Sequence, residues 1–208
     1  MDKFFNYFQI TALVLFLLLF AGKISYLRLI KKINSVTIVV GKKGMQLAMD
    51  ISFIIGLIIW ILEVLLHSLH LAFPILALLH DMQLINSILA KYIGAGLISF
   101  GFIIYILALI TLGDSWRMGI DCKAPGKLVT EGIYSISRNP ISIFIDFYFL
   151  GTFLINGTLI FLIFAILAAI AVHLQILQEE KFLTRTYGLE YRDYCARTGR
   201  YLIWKISL

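Results

Sequence analysis

Continuous apolar runs about twenty residues long recur along this chain, and they leave few folds open to it. A helix needs ~20 apolar residues to cross a hydrocarbon core of about 30 Å. Each residue adds about 1.5 Å, and the backbone must satisfy its own polar groups inside the segment. A transmembrane barrel would need ten-residue segments of alternating polarity, and these runs do not alternate. Of the 208 residues, 61% are hydrophobic and 14% charged. The sequence therefore predicts an all-α polytopic membrane helical bundle of about five transmembrane helices, with a cytoplasmic amphipathic C-terminal tail. No linker, low-complexity segment or internal repeat divides it. Residues 1–208 read as a single integral membrane domain, with a three-helix part over 1–112 and a polar loop, helical hairpin and tail over 113–208.

Helices are expected over about 4–30, 45–66, 84–112, 140–155 and 158–180. The first has no positive n-region and no small-residue cleavage site, so it reads as a retained helix. A short apolar piece at 71–79 is too short to span; it either lies in the interface or lengthens the second helix. Gly94, Gly96 and Gly101 are expected to let a neighbouring helix approach closely. The fourth helix is short, about 16 residues or roughly 24 Å, and Asn156-Gly157 after it reads as a tight turn.

Basic residues set the expected orientation. Lys and Arg gather in the links between helices 1 and 2 and between helices 3 and 4, and in the tail; the two remaining links have none. The N-terminus is then outside, and the tail and polar loop are cytoplasmic. The net charge of +6 is accounted for by basic residues facing anionic headgroups, so no nucleic-acid partner is called for. Cys122 and Cys195 read as free cytoplasmic thiols. The four histidines have no metal-ligand spacing, so no metal is expected.

Polar residues beside the hairpin are the candidates for chemistry. In Arg138-Asn139-Pro140, Asn suits an N-cap and Pro the first helical position, which by itself explains a helix start. The same free N–H groups and dipole, beside Arg138, also favour a carboxylate or phosphate. Glu179-Glu180, at the expected end of the fifth helix, oppose its dipole. They read either as a solvated helix end or as ligands for an ammonium or ribose hydroxyls. Glu63, Lys91 and Asp146 are ionisable within spans, each costing about 2.5–3.5 kcal/mol at a lipid-facing helix centre. For Glu63 and Lys91 pairing or snorkelling is expected. Asp146 faces either a cavity or a buried structural partner. Trp116 and Arg117 suit an interface anchor, and Arg117 also suits an anionic substrate group. The tail around Tyr187, Tyr191 and Tyr194 reads as an interfacial helix or as a lid over an adenine-sized ligand.

In their order these pieces resemble the isoprenylcysteine carboxyl methyltransferase family and its relatives, the bacterial membrane methyltransferases and phospholipid N-methyltransferases. The resemblance runs over about 112–203. The family loop Leu-Val-x-x-Gly-x-Tyr-x-x-x-Arg-His-Pro-x-Tyr matches Leu128, Val129, Gly132, Tyr134, Arg138 and Pro140, with Asn139 and Ser142 standing for its His and second Tyr. The Glu-Glu pair, the Tyr187-Gly188 to Tyr194 segment and Gly199-Arg200 follow in family order.

The resemblance implies S-adenosylmethionine as methyl donor and an acceptor that is a lipophilic small molecule, prenylated or a membrane lipid. An isoprenylcysteine-type carboxylate is the expected acceptor group. It implies a cofactor site of Gly132, Tyr134, Arg138, Asn139, Pro140, Glu179, Glu180, Tyr187 and Tyr191, and Arg117 or Arg200 as the catalytic residue holding the acceptor. Two rival readings stand beside it: a nicotinamide-dependent membrane reductase of the sterol-reductase type, and a non-catalytic membrane protein. Oligomeric state is not readable.

Overall fold

The computed structural model describes residues 2–36, 44–71, 79, 81–117 and 126–201. Among these, helix α1 is Asp2–Ser25 and winds into a π-helical turn, Tyr26–Ile30. Then come α2 (Met45–Ser68), α3 (Ile88–Leu112), α4 (Pro140–Asn156), α5 (Leu159–Tyr187) and the short α6 (Leu189–Arg197). Among the described residues four segments are long and apolar enough to cross a membrane: Asp2–Ile30, Ile51–Ser68, Ile88–Ser115 and Leu159–Tyr187. The shorter apolar helix is α4, with 17 residues, about 26 Å at 1.5 Å per residue. The chain is an all-α polytopic membrane protein. Residues 72–78, the body of the short apolar piece, and Cys122 lie outside the described residues.

The third and fourth helices pack backbone to backbone. A Cβ on Gly94 of α3 would stand 2.5 Å from the carbonyl oxygen of Gly151 on α4; one on Gly151 would stand 2.6 Å from the Gly94 oxygen. One helical repeat on, Gly101 faces Phe144, whose Cδ2 is 3.2 Å from where a Cβ would be. Gly94 and Gly101 thus admit the neighbour, as the sequence suggests. Gly96 does not, since it faces open space. Dispersion at such close range is the main force between helices in lipid.

Helix α3 begins at Ile88, four residues later than expected, with the Ser87 hydroxyl as its cap. The reason lies in the α4–α5 turn. Gly157 turns the chain at φ +68°, and its carbonyl accepts from the amides of Leu84 (2.7 Å) and Ile85 (3.0 Å). Leu159 N donates to Met82 O at 3.0 Å. Residues 82–85 therefore use their backbone groups to brace the hairpin and cannot join the helix.

Helix α1 is tied to the same hairpin by a buried amide pair. Gln9 Nε2 donates to Asn156 Oδ1 (3.0 Å), and Asn156 Nδ2 donates to Gln9 Oε1 (2.8 Å). Lys91 pairs with Asp2, as expected of an ionisable group near a helix end. Gln9→Leu leaves the Asn156 amide unpaired and is expected to destabilise the protein by about 1–2 kcal/mol. Asn156→Leu added to Gln9→Leu should recover most of that loss, because both partners then become apolar. Thermal unfolding of the single and double variants in detergent checks the recovery.

Helix α5 sets the position of the site. A core of about 30 Å takes up roughly 20 residues, so the 29-residue helix is longer than one crossing needs. Glu179 and Glu180 are two turns inside α5, not at its end, so the expected conflict with the helix dipole does not arise. Gly188 (φ +58°) then redirects the chain into α6.

Candidate active site

Loop and tail meet at one end of the hairpin. Arg138 N donates to Gly199 O at 3.0 Å, Asn139 Nδ2 donates to Arg200 O at 3.1 Å, and Ser137 pairs with Gly199 in a parallel bridge. Tyr194 of α6 donates its O–H to Tyr134 O at 2.6 Å, and Tyr187 donates to Gly126 O at 3.1 Å. Asn139 occupies the N-cap position of α4 without a side-chain cap bond. Its amide instead holds the tail, while Pro140 occupies the first turn as expected.

Between them lies an ionic cluster. Arg138 Nη2 stands 3.1 Å from Glu180 Oε1, and Arg200 grips the same carboxylate through Nε (3.1 Å to both oxygens) and Nη2 (2.7 Å to Oε2). Arg138 also donates to the Cys195 thiol. Glu180 and Arg138 are mostly buried, and the carboxylate has a guanidinium on each side, that of Arg200 forked. This pairing holds the Arg200 guanidinium even more firmly protonated than usual.

Beside the cluster opens a cavity of about 550 Å³, a volume typical of small-molecule sites. Its polar end is walled by Tyr134, Arg138, Asn139, Glu179, Tyr187 and Tyr191, with Arg117 and Lys127 at the rim. Six of the nine expected cofactor residues are thus brought together on one wall. Gly132, Pro140 and Glu180 stand behind it, as does Arg200. Gly132 shapes the loop: its φ is +55°, and a Cβ would reach within 2.9 Å of Thr111 Oγ1. Arg117 is at the wall, and its Nη1 donates to the carbonyls of Asp114 (2.7 Å) and Trp116 (2.9 Å).

Both departures from the family pattern face the cavity: Ser142, which stands for the family Tyr, and Asn139, which stands for the family His. The apolar arm runs to Phe16, Leu57, Trp60, Tyr105, Phe144 and Tyr148. Asp146 is not on the wall; one of its carboxyl oxygens is buried without a hydrogen bond. Burial pushes the Tyr134, Tyr191 and Tyr194 phenols well above their usual range. All three stay neutral near pH 7 and serve as O–H donors and flat walls, not as bases. Among the described residues no cluster of His, Cys, Asp or Glu suits a metal ion.

The cavity is polar where loop and tail meet and apolar among the helices of an integral membrane protein. Residues 89–190 match the phospholipid methyltransferase family, a stretch that contains most of α3, the loop and the whole hairpin. Neither the curated proteins nor the solved structures give a match.

Proposed function

We propose that the protein transfers a methyl group from S-adenosylmethionine to a lipophilic acceptor, an isoprenylcysteine-like carboxylate or a related lipid, on the cytoplasmic side of the membrane. The observation that carries this reading is the junction of loop and tail at Arg138 and Glu180, 3.1 Å apart, beside a cavity that is polar at one end and apolar at the other. The residues present suit the cofactor. Arg138 lines the cavity beside the first turn of α4, and its Nε is buried without a partner. A guanidinium and a helix N-terminus favour a carboxylate. Glu179, which also lines the cavity, suits the ammonium or ribose hydroxyls, and Tyr134, Tyr187 and Tyr191 suit a purine. When bound, the cofactor supplies an electrophilic methyl on a sulfonium.

The chain's own residues then have to align and exclude water. Transfer to an ionised or lone-pair acceptor is an in-line displacement that needs no strong base, and proximity alone supplies ~7–11 kcal/mol. Arg117 lines the cavity and Arg200 does not, so Arg117 is the better placed of the two candidate catalytic residues to hold an acceptor head. Arg200 acts through Glu180, holding it against Arg138.

A nicotinamide cofactor fits less well. Its phosphates would face Glu179, with Arg117, Lys127 and Arg138 the cations at the wall. Isothermal titration with S-adenosylhomocysteine is expected to give saturable 1:1 binding, and NADPH no thermal stabilisation. Stabilisation by NADPH without binding of S-adenosylhomocysteine would overturn the reading in favour of a reductase.

A further inference from the structure

Between the charged end of the cavity and its apolar arm, each helix of the hairpin puts one neutral, non-aromatic polar side chain on the wall: Ser142 from α4 and Gln175 from α5. Counted from the turn at Gly157, Ser142 is about 22 Å back along α4 and Gln175 about 27 Å on along α5. On the same scale Glu179 is about 33 Å from the turn and Tyr148 about 14 Å. Ser142 and Gln175 thus stand within about 5 Å of one level, where the polar wall gives way to the apolar one.

Both side chains are open and unengaged. Ser142 is half-buried, and Gln175 is exposed although Val172 and Ile176 beside it on α5 are 2% and 1% exposed. Among the described residues neither has a side-chain hydrogen bond. Other helical hydroxyls here do not stay free: Thr111, Thr152 and Thr184 each donate to the carbonyl four residues earlier, at 2.8, 2.7 and 2.7 Å. Ser142 lies in the first turn of α4 and makes no such bond. Its oxygen and the Gln175 amide oxygen are therefore free acceptors on the cavity wall.

A cofactor held by its polar groups at Arg138 and Glu179 has to point its methyl away from them, toward the arm that admits the acceptor. We infer that the Ser142 hydroxyl oxygen and the Gln175 amide oxygen face that methyl and are further catalytic residues of the transfer. This rests on the methyl-transfer reading above and deepens it. The C–H bonds of a carbon on a sulfonium are polarised, and neutral oxygens accept from them. Ser142 and Gln175 take no proton. They hold the methyl carbon on the line along which the acceptor's lone pair forms the new bond, while the electron pair of the C–S bond stays with sulfur. Being uncharged and weakly nucleophilic, they do not compete with the acceptor for the methyl.

The test compares the affinities of two cofactor analogues by isothermal titration. S-adenosylhomocysteine lacks both the methyl and the positive charge. Sinefungin carries an ammonium in the methyl's place, a stronger donor to the same two oxygens. Wild type is expected to bind sinefungin about 10-fold more tightly than S-adenosylhomocysteine, the worth of roughly one ionic hydrogen bond. In S142A/Q175L the ratio should fall to near 1. Affinity for S-adenosylhomocysteine should stay within about threefold of wild type, because that ligand has no group for either oxygen to meet. Q175E keeps an oxygen at the position and should hold or raise the ratio, which a merely structural role would not produce. A wild-type ratio near 1, or the wild-type ratio retained in S142A/Q175L, overturns the inference and leaves the methyl-transfer reading standing. If the double variant does not fold, S142A decides: its ratio should fall about threefold, and an unchanged ratio overturns the inference. Binding of neither analogue by wild type removes the methyl-transfer reading and this inference with it.

Discussion

Arg138→Ala is expected to weaken S-adenosylhomocysteine binding by about 100-fold and to lower thermal stability as well. The binding loss follows from removing an ionised donor to a carboxylate, a bond of about 1.5–3 kcal/mol. The stability loss follows from Glu180, which would keep Arg200 but lose its second guanidinium while still mostly buried; breaking a buried pair costs about 3–5 kcal/mol, and the remaining partner reduces that here. Arg138→Lys separates the two effects. It keeps a charge near Glu180, so stability should recover in large part. It cannot fork between Glu180 and a ligand, so binding should stay weak. Titration calorimetry and thermal unfolding on the same samples check both. Binding by Arg138→Ala within about threefold of wild type, less than 1 kcal/mol, would detach Arg138 from the cofactor.

The second large effect is expected in the membrane. Gly151→Val would set a branched side chain where a Cβ alone already comes within 2.6 Å of both Gly94 O and Ile98 Cγ1. Neither helix backbone can yield locally, so α3 and α4 must separate along their contact. Overpacking of this kind costs about 1–3 kcal/mol in an adaptable core, and the upper end or beyond is expected where backbone meets backbone. Little folded, monodisperse protein should be recovered. Gly96→Val is the matched control, since Gly96 faces open space. Removing a helical glycine there should be neutral or gain a few tenths of a kcal/mol. Equal recovery of both variants would show that the helices do not touch at Gly151.

The architecture was legible because lipid imposes it. Apolar length gave the spans, Asn156-Gly157 gave the hairpin turn, and polar punctuation placed the loop and tail. Where the sequence reading slipped, a backbone partner far along the chain had intervened. Residues 82–85 have helical composition but serve the α4–α5 turn through hydrogen bonds to Gly157. Helix α5 runs on to Tyr187 because Lys181, Phe182, Leu183 and Arg185 are good helix formers and the first strong stop is Gly188. At the site, motif order placed Arg138 and Glu180 together, and their separation of 3.1 Å agrees. Which of the adjacent carboxylates faces the cavity depends on helix phase, and that was not readable: Glu179 is on the wall, while Glu180 turns to the arginines.

The bridge between Ser137 and Gly199 also dictates an order of assembly. Asn139 precedes Arg200 by 61 residues. At ~5–20 residues per second of synthesis, the loop waits roughly 3–12 s for the tail that completes it. Glu180 is made before Gly199 and Arg200, so Arg138 gains its carboxylate partner first and the tail backbone closes over the pair last.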